Sequence, residues 1–150
     1  MKKHFLLLFF VALMASCVST KSTLKNVDNT APALTLTKDK VFAITEYSTD
    51  PKYGYDEDYP VNIFYRNTLN ETINQERFLN ALAGPNGEKI FYEKVEVCCP
   101  FPTKNTAGGA GLLDVYEIKW MGQKKPVRLY LNIYEKSVLM VPMGLTLKSF

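Results

Sequence analysis

Two adjacent cysteines, Cys98 and Cys99, are the residues of this sequence best suited to chemistry. Adjacent Cα atoms are about 3.8 Å apart, below the usual disulfide range of roughly 4.4–6.8 Å, so a bond between these residues would be strained and easily reduced. Strand alternation sends neighbouring side chains to opposite faces, and Pro100 favours an extended Cys99. The sequence therefore predicts two separate structural thiols, with Cys99 inward and Cys98 nearer the surface. A vicinal disulfide, and redox or metal chemistry, are the alternatives.

The sequence offers few residues that could activate these thiols or bind a metal ion together with them. His4 is the only histidine and belongs to the predicted leader, which removes Ser-His and Cys-His nucleophile activation from the mature chain. A cysteine metal site would need carboxylates to complete it, an unusual ligand set for zinc. We therefore predict no catalytic residue, no metal and no cofactor. A thiol redox or hydrolytic enzyme centred on Cys98 and Cys99 stays as the alternative.

A second candidate is the aromatic and acidic loop 50–60. Its acidic run, 56–58, could bind Ca²⁺ but lacks the ligand spacing of an EF-hand, so a solvated acidic turn is the main interpretation. The neighbouring tyrosines could form a platform for a glycan or peptide, although the edges of cores use tyrosine equally. The candidate binding loop consists of Tyr53, Tyr55, Asp56, Asp58 and Tyr59.

The glycine-rich stretch 108–111 superficially resembles a phosphate-binding loop. Such loops open a helix, whose N-terminus holds the anion. Here the stretch leads into the strand-like segment 112–116, so we predict a flexible or bulged turn.

Runs of β-forming residues predict that most of the folded part is strand. Three long strands alternate apolar with polar residues, at 90–99, 112–120 and 127–134. In the first of them the odd positions predict a buried face of Phe91, Val95, Val97 and Cys99. Shorter strands are predicted at 34–37, 41–47, 61–65, 138–141 and 145–147.

A single short helix is predicted to begin at Thr72, because Gln75 three residues later fits a capping box. Gly84 and the proline after it supply the stop. Strands, one helix and then a run of strands predict an α+β fold: an antiparallel sheet of about five to six strands with one short helix packed on a face.

The N-terminus reads as an export signal. Lys2 and Lys3 precede an apolar run of about ten residues, which is too short to span a bilayer as a helix. The segment 14–17, Met-Ala-Ser-Cys, resembles the bacterial lipoprotein box, which implies that Cys17 is acylated and becomes the new N-terminus. Val18 follows where the inner-membrane retention signal has Asp. The resemblance thus implies an outer-membrane lipid anchor, facing the periplasm.

The segment after Cys17 is rich in Ser, Thr, Lys and Asn and shows no periodicity, which is typical of a flexible tether that lets a domain reach away from the membrane. We predict a signal peptide at 1–16, the acylated cysteine and tether at 17–33, and one α+β domain at 34–150. Loss of Lys2 and Lys3 leaves 16 basic against 15 acidic side chains. This balance gives no electrostatic signature for nucleic acid.

Six segments carry a resemblance to known proteins: 53–55, 76–79, 84–87, 98–101, 112–116 and 129–132. Together they resemble a family of small, uncharacterised bacterial lipoproteins. Some members are labelled 2-dehydro-3-deoxyphosphooctonate aldolase, but such enzymes are (β/α)₈ barrels of typically about 250 residues with alternating strands and helices, a pattern that this sequence lacks. The resemblance implies no catalytic residue. The sequence predicts a non-enzymatic, membrane-tethered domain that binds an envelope protein or glycan.

Overall fold

The computed structural model of this protein describes residues 21–64 and 71–149. Cys17, His4 and the predicted signal peptide lie outside the described residues, as does Tyr65 at the end of a predicted strand. The described strands are β1 (Glu46–Tyr47), β2 (Val61–Asn62), β3 (Leu82–Ala83), β4 (Ile90–Pro102), β5 (Ala110–Trp120), β6 (Val127–Asn132), β7 (Met140–Val141) and β8 (Thr146–Leu147). The helix α1 spans Glu71–Leu79. No helix in these ranges is long and apolar enough to cross a membrane.

The predicted α+β class is confirmed in its coarse form, but the single antiparallel sheet is wrong. The main sheet has four strands in the order β2-β6-β5-β4, and its β2–β6 pair is parallel. The short strands pair elsewhere, β1 with β7 in parallel and β3 with β8 antiparallel. A strand of two residues is too short to show a periodic pattern, and these strands pair with segments distant in the sequence. Their partners could therefore not be predicted.

The main core joins α1 to one face of the four-stranded sheet. Phe78 and Leu79 of the helix are fully buried in the same cluster as Ile118 of β5 and Leu129 and Leu131 of β6. The burial predicted for Leu129 and Leu131 is therefore confirmed, whereas Asn132, predicted on the polar face, is fully buried. Burial of this kind contributes about 1.5–3 kcal/mol for each large apolar side chain, and it stabilises a helix that would be marginal alone.

The predicted capping box does not form at the start of α1. Thr72 lies inside the helix, which begins at Glu71. The Gln75 side chain instead points to the sheet, where its Oε1 accepts a hydrogen bond of 2.7 Å from the Tyr116 hydroxyl. The Gln75 side chain is therefore engaged in a tertiary contact with the sheet instead of capping the helix.

Two β-bulges change which side chains of β4 are buried. The register with β5 shifts between Lys94 and Glu96 and again between Cys98 and Phe101. Each bulge adds one residue to β4 and reverses the alternation after it. The first bulge therefore places Phe91, which precedes it, and Val97, which follows it, on opposite faces of the sheet. The predicted buried face is wrong, and its first three members are exposed: Phe91 60%, Val95 40% and Val97 51%.

The other face of the sheet carries a smaller cluster, formed by Leu24, Phe101 and Leu113 with Cys99 and Tyr130 packed against it. We call it the second cluster. Alternation along β5 places Leu113 and Ile118 on opposite faces, so the sheet has apolar cover on both sides.

The segment 24–31 belongs to this covering layer. Leu24 and Ala31 are buried, and the Lys25 amide donates a 2.9 Å hydrogen bond to the Asp58 carbonyl. Asn26 Nδ2 donates to the Pro60 carbonyl at 2.6 Å. This part of the predicted tether therefore packs on the domain instead of extending from it.

Candidate functional site

Cys98 and Cys99 are joined by a disulfide, with their Cα atoms 3.7 Å apart. The prediction of two separate thiols, which rested on strand alternation, is therefore wrong. The structure has the vicinal disulfide that was the alternative. It lies within the second bulge of β4, where regular alternation does not hold.

The backbone at Cys99 shows how two neighbouring sulfur atoms come together. Its φ is 58°, in the left-handed region, although Pro100 predicted an extended Cys99. Left-handed backbone is uncommon for any residue except glycine, and it is disfavoured further before proline. The bulge and the disulfide ring hold Cys99 in this conformation against its local preference.

A carboxylate from the acidic loop contacts this disulfide. Oε2 of Glu57 lies 3.0 Å from Sγ of Cys99, across a sequence separation of 42 residues. A disulfide sulfur carries no proton, so an ionised Glu57 receives no hydrogen bond here. Reduction would supply an S–H donor at this position. The sequence analysis identified both segments as candidates, but no pattern in the sequence predicted that they are in contact.

The surroundings of the two sulfur atoms differ. Both cysteines are half-buried, yet only Cys99 packs against the second cluster. Strand β4 forms one edge of the four-stranded sheet, and Val97, which precedes the pair, is 51% exposed. Both cysteines lie on this edge strand, and the contact between Cys99 and Glu57 is at the surface, so a molecule in solution can approach the disulfide.

The tyrosines of loop 50–60 serve mainly to hold the loop in place. Tyr53 is fully buried, accepts a 3.1 Å hydrogen bond from the Met140 amide, and makes an edge-to-face contact with Tyr59. The Tyr55 hydroxyl donates to the Met143 carbonyl at 2.7 Å, and burial raises its pKa to about 12. Tyr53, Tyr55 and Tyr59 therefore pack against the domain and do not form one open aromatic surface.

The two predicted loop carboxylates make ion pairs near the surface. Asp56 lies 3.6 Å from the Lys52 ammonium, and Asp58 lies 3.4 Å from that of Lys25. Among the described residues, no three His, Cys, Asp or Glu side chains are grouped so that they could hold a metal ion.

A cleft of about 490 Å³ lies beside the ends of β2 and β6, within the size range of small-molecule sites. We call it the lysine–amide cleft. Its polar lining is two lysines, three asparagines and a serine, and its apolar lining comes mainly from the segment 32–34. The polar residues are Asn29, Asn62, Lys104, Asn105, Lys136 and Ser137. The sequence analysis did not identify this cleft, because its residues come from four separated segments.

Hydrogen bonds fix the amides of the cleft. Asn62 donates to Asn26 and accepts a 2.8 Å bond from Asn132, which itself is fully buried. Asn105 Nδ2 donates to the Tyr134 carbonyl at 2.7 Å and to Glu135 Oε2 at 3.4 Å. The walls are therefore held in place before any ligand binds.

The charge of the cleft is positive. Within residues 21–64 and 71–149, neither Lys104 nor Lys136 takes part in an ion pair shorter than 4 Å. Two carboxylates lie close by but outside the lining: Glu135, bonded to Asn105, and Asp28, whose pKa is lowered chiefly by hydrogen bonds from Thr30 and slightly by the charge of Lys136. The cleft can therefore attract an anionic ligand.

Comparison with protein-family models, with curated proteins and with solved structures finds no match to this chain.

Proposed function

We propose that this protein is an outer-membrane lipoprotein, anchored through acylated Cys17 and facing the periplasm, whose domain binds an acidic glycan of the cell envelope. The observation that supports binding is the lysine–amide cleft, where Lys104 and Lys136 have no ion-pair partner among the described residues. The anchor rests on the sequence of segment 14–17 alone.

The chemistry of the lining selects the ligand class. Two ammonium groups suit a carboxylate or phosphate, while the exposed amides of Asn29 and Asn105 suit the hydroxyls of a sugar. The apolar residues Pro32 and Leu34 offer a surface for the carbon face of a sugar ring. An acidic glycan unit combines all three features, whereas a protein partner would also need a wider contact than one cleft provides.

Calorimetric titration of the full chain with an acidic amino sugar, N-acetylmuramic acid, and its neutral relative N-acetylglucosamine tests this proposal. We expect the acidic sugar to bind more tightly. The double variant Lys104→Gln, Lys136→Gln should weaken it about tenfold, because exposed ion pairs each contribute roughly 0.2–1 kcal/mol.

The matched control is Lys124→Gln, Lys125→Gln, which removes the same charge from the turn at the far end of β6. It should leave the affinity unchanged. Equal binding of the two sugars, binding of neither, or equal weakening by both double variants would count against the glycan site.

A further inference from the structure

The disulfide at the edge of the sheet and the carboxylate beside it form a second site, separate from the lysine–amide cleft. We propose that Cys98–Cys99 is a redox-active pair that exchanges with an external dithiol, and that Glu57 is a positioning residue that favours the reduced form. Three observations carry this inference: the backbone at Cys99, the packing of Cys99 against the second cluster, and the contact between Glu57 and Cys99.

The backbone favours opening of the bond. Cys99 keeps a φ of 58° while the disulfide exists. Breaking the bond allows Cys99 to return to the extended conformation that Pro100 prefers. Strain that is present in the oxidised form and released in the reduced form makes a disulfide more easily reduced.

The surroundings of the sulfurs set the direction of attack. Cys99 packs against the second cluster and has the Glu57 carboxylate beside it, which disfavours the approach of a negatively charged thiolate to Cys99. Thiol–disulfide exchange needs the incoming thiolate in line with the bond that breaks. Cys98 is therefore the sulfur attacked, and Cys99 is the leaving group.

The reaction balances as a two-electron, two-proton exchange. A thiolate of the external dithiol attacks Sγ of Cys98 and forms a mixed disulfide, while the Cys98–Cys99 bond breaks and its electron pair passes to Cys99, which takes a proton from water. The second thiol of the partner loses a proton and attacks the partner's own sulfur in the mixed disulfide. Cys98 leaves as a thiolate and is protonated. The pair is reduced, and the dithiol is oxidised to a disulfide.

Glu57 acts on the position of this equilibrium. In the oxidised form its Oε2 lies 3.0 Å from a sulfur that has no proton. In the reduced form the Cys99 thiol can donate a hydrogen bond to the same oxygen. A contact that is favourable only after reduction shifts the equilibrium toward the dithiol.

The test is a redox titration of the full chain in mixtures of reduced and oxidised dithiothreitol, followed by trapping with N-ethylmaleimide and tryptic mapping. The peptide 95–104 lies between Lys94 and Lys104 and contains both cysteines, so Cys17 does not interfere. We expect this peptide to change from unlabelled to doubly labelled while the folded domain, followed by Trp120 fluorescence, stays intact.

Glu57→Gln should make the pair harder to reduce, with an equilibrium constant about threefold smaller, because the charge-assisted hydrogen bond of the reduced form is weakened. Asp58→Asn is the matched control, since it removes the same charge from the same loop at a carboxylate that pairs with Lys25. It should leave the constant unchanged. Double labelling at every ratio, labelling only after denaturation, or equal shifts in the two variants would overturn the proposal.

Discussion

The buried side chain of Gln75 illustrates how single residues hold this fold together. It is 2% exposed, accepts a hydrogen bond from the Tyr116 hydroxyl, and donates one to Asp114. Asp114 in turn lies 2.6 Å from the Lys94 ammonium. This chain of polar contacts ties α1 to two strands of the sheet. Its members depend on one another, because a buried polar group without a partner costs about 1–3 kcal/mol.

Tyr116→Phe should lower the free energy of unfolding by about 1–2 kcal/mol, because it leaves Oε1 of Gln75 buried without its donor. The control is Tyr92→Phe, which removes a hydroxyl bonded to Asn80 at an exposed position and should cost less than about 0.5 kcal/mol. Chemical denaturation of both variants measures the difference. Equal losses would contradict a special role for the buried network.

At the scale of the elements, the start of β5 depends on a glycine. A Cβ at Gly111 would lie 2.7 Å from Cδ2 of Tyr134 and 2.8 Å from Cζ of Phe101. Both rings belong to or pack on the second cluster, so neither can move without disturbing it. Gly111 therefore permits the close approach of β5 to these aromatic side chains.

Gly111→Ala should destabilise the domain by about 1–3 kcal/mol through overpacking. Gly108→Ala, three residues earlier in the same turn, is the control, because a Cβ there meets nothing within 4 Å. We expect its effect to stay within about 0.5 kcal/mol. Thermal unfolding followed by circular dichroism compares the two. A destabilisation shared by both variants would indicate an effect of the turn and not of packing.

The long strands show which parts of the fold the sequence can predict. In β6, Leu129 and Leu131 alternate regularly, since paired neighbours keep the register, and their burial was predicted correctly. In β4, Val95 and Val97 were predicted to be buried and are exposed. Periodicity alone cannot locate a bulge, because a bulge is set by how a strand fits its neighbour.

The candidate site was predicted in parts. The sequence identified the cysteine pair and the acidic loop separately, but their contact through Glu57 depends on tertiary packing. The assignment of two separate thiols relied on regular alternation, which fails within a bulge. The cleft around Lys104 and Lys136 has no sequence pattern at all, because the chain brings its residues together only when it folds.

For the molecule as a whole, buried tyrosines couple stability to alkaline pH. Burial raises the pKa of Tyr55 to about 12 and, with help from nearby carboxylates, that of Tyr116 to about 12. An unfolded tyrosine ionises near pH 10. The folded state therefore holds these protons to higher pH than the unfolded state does. The stability from both groups is complete below pH 10 and is lost as the pH rises toward 12.

The double variant Tyr55→Phe, Tyr116→Phe should show a weaker decline of unfolding free energy above pH 10 than the unmodified protein, because two linked protons are removed. Tyr47→Phe, at a position that is 54% exposed, should leave the slope unchanged. Urea denaturation at intervals from pH 8 to 11.5 measures the slopes. Identical slopes in all three proteins would rule out this linkage.

The packing of Leu24 in the second cluster has a consequence for the proposed lipid anchor. Leu24 lies seven positions after Cys17 in the sequence, and seven extended steps of the chain span at most about 25 Å. An acylated Cys17 would therefore hold the disulfide face of the domain near the lipid headgroups, with a restricted choice of orientation. Any dithiol that reaches Cys98 would then have to work in the narrow layer beside the membrane and not in the open periplasm.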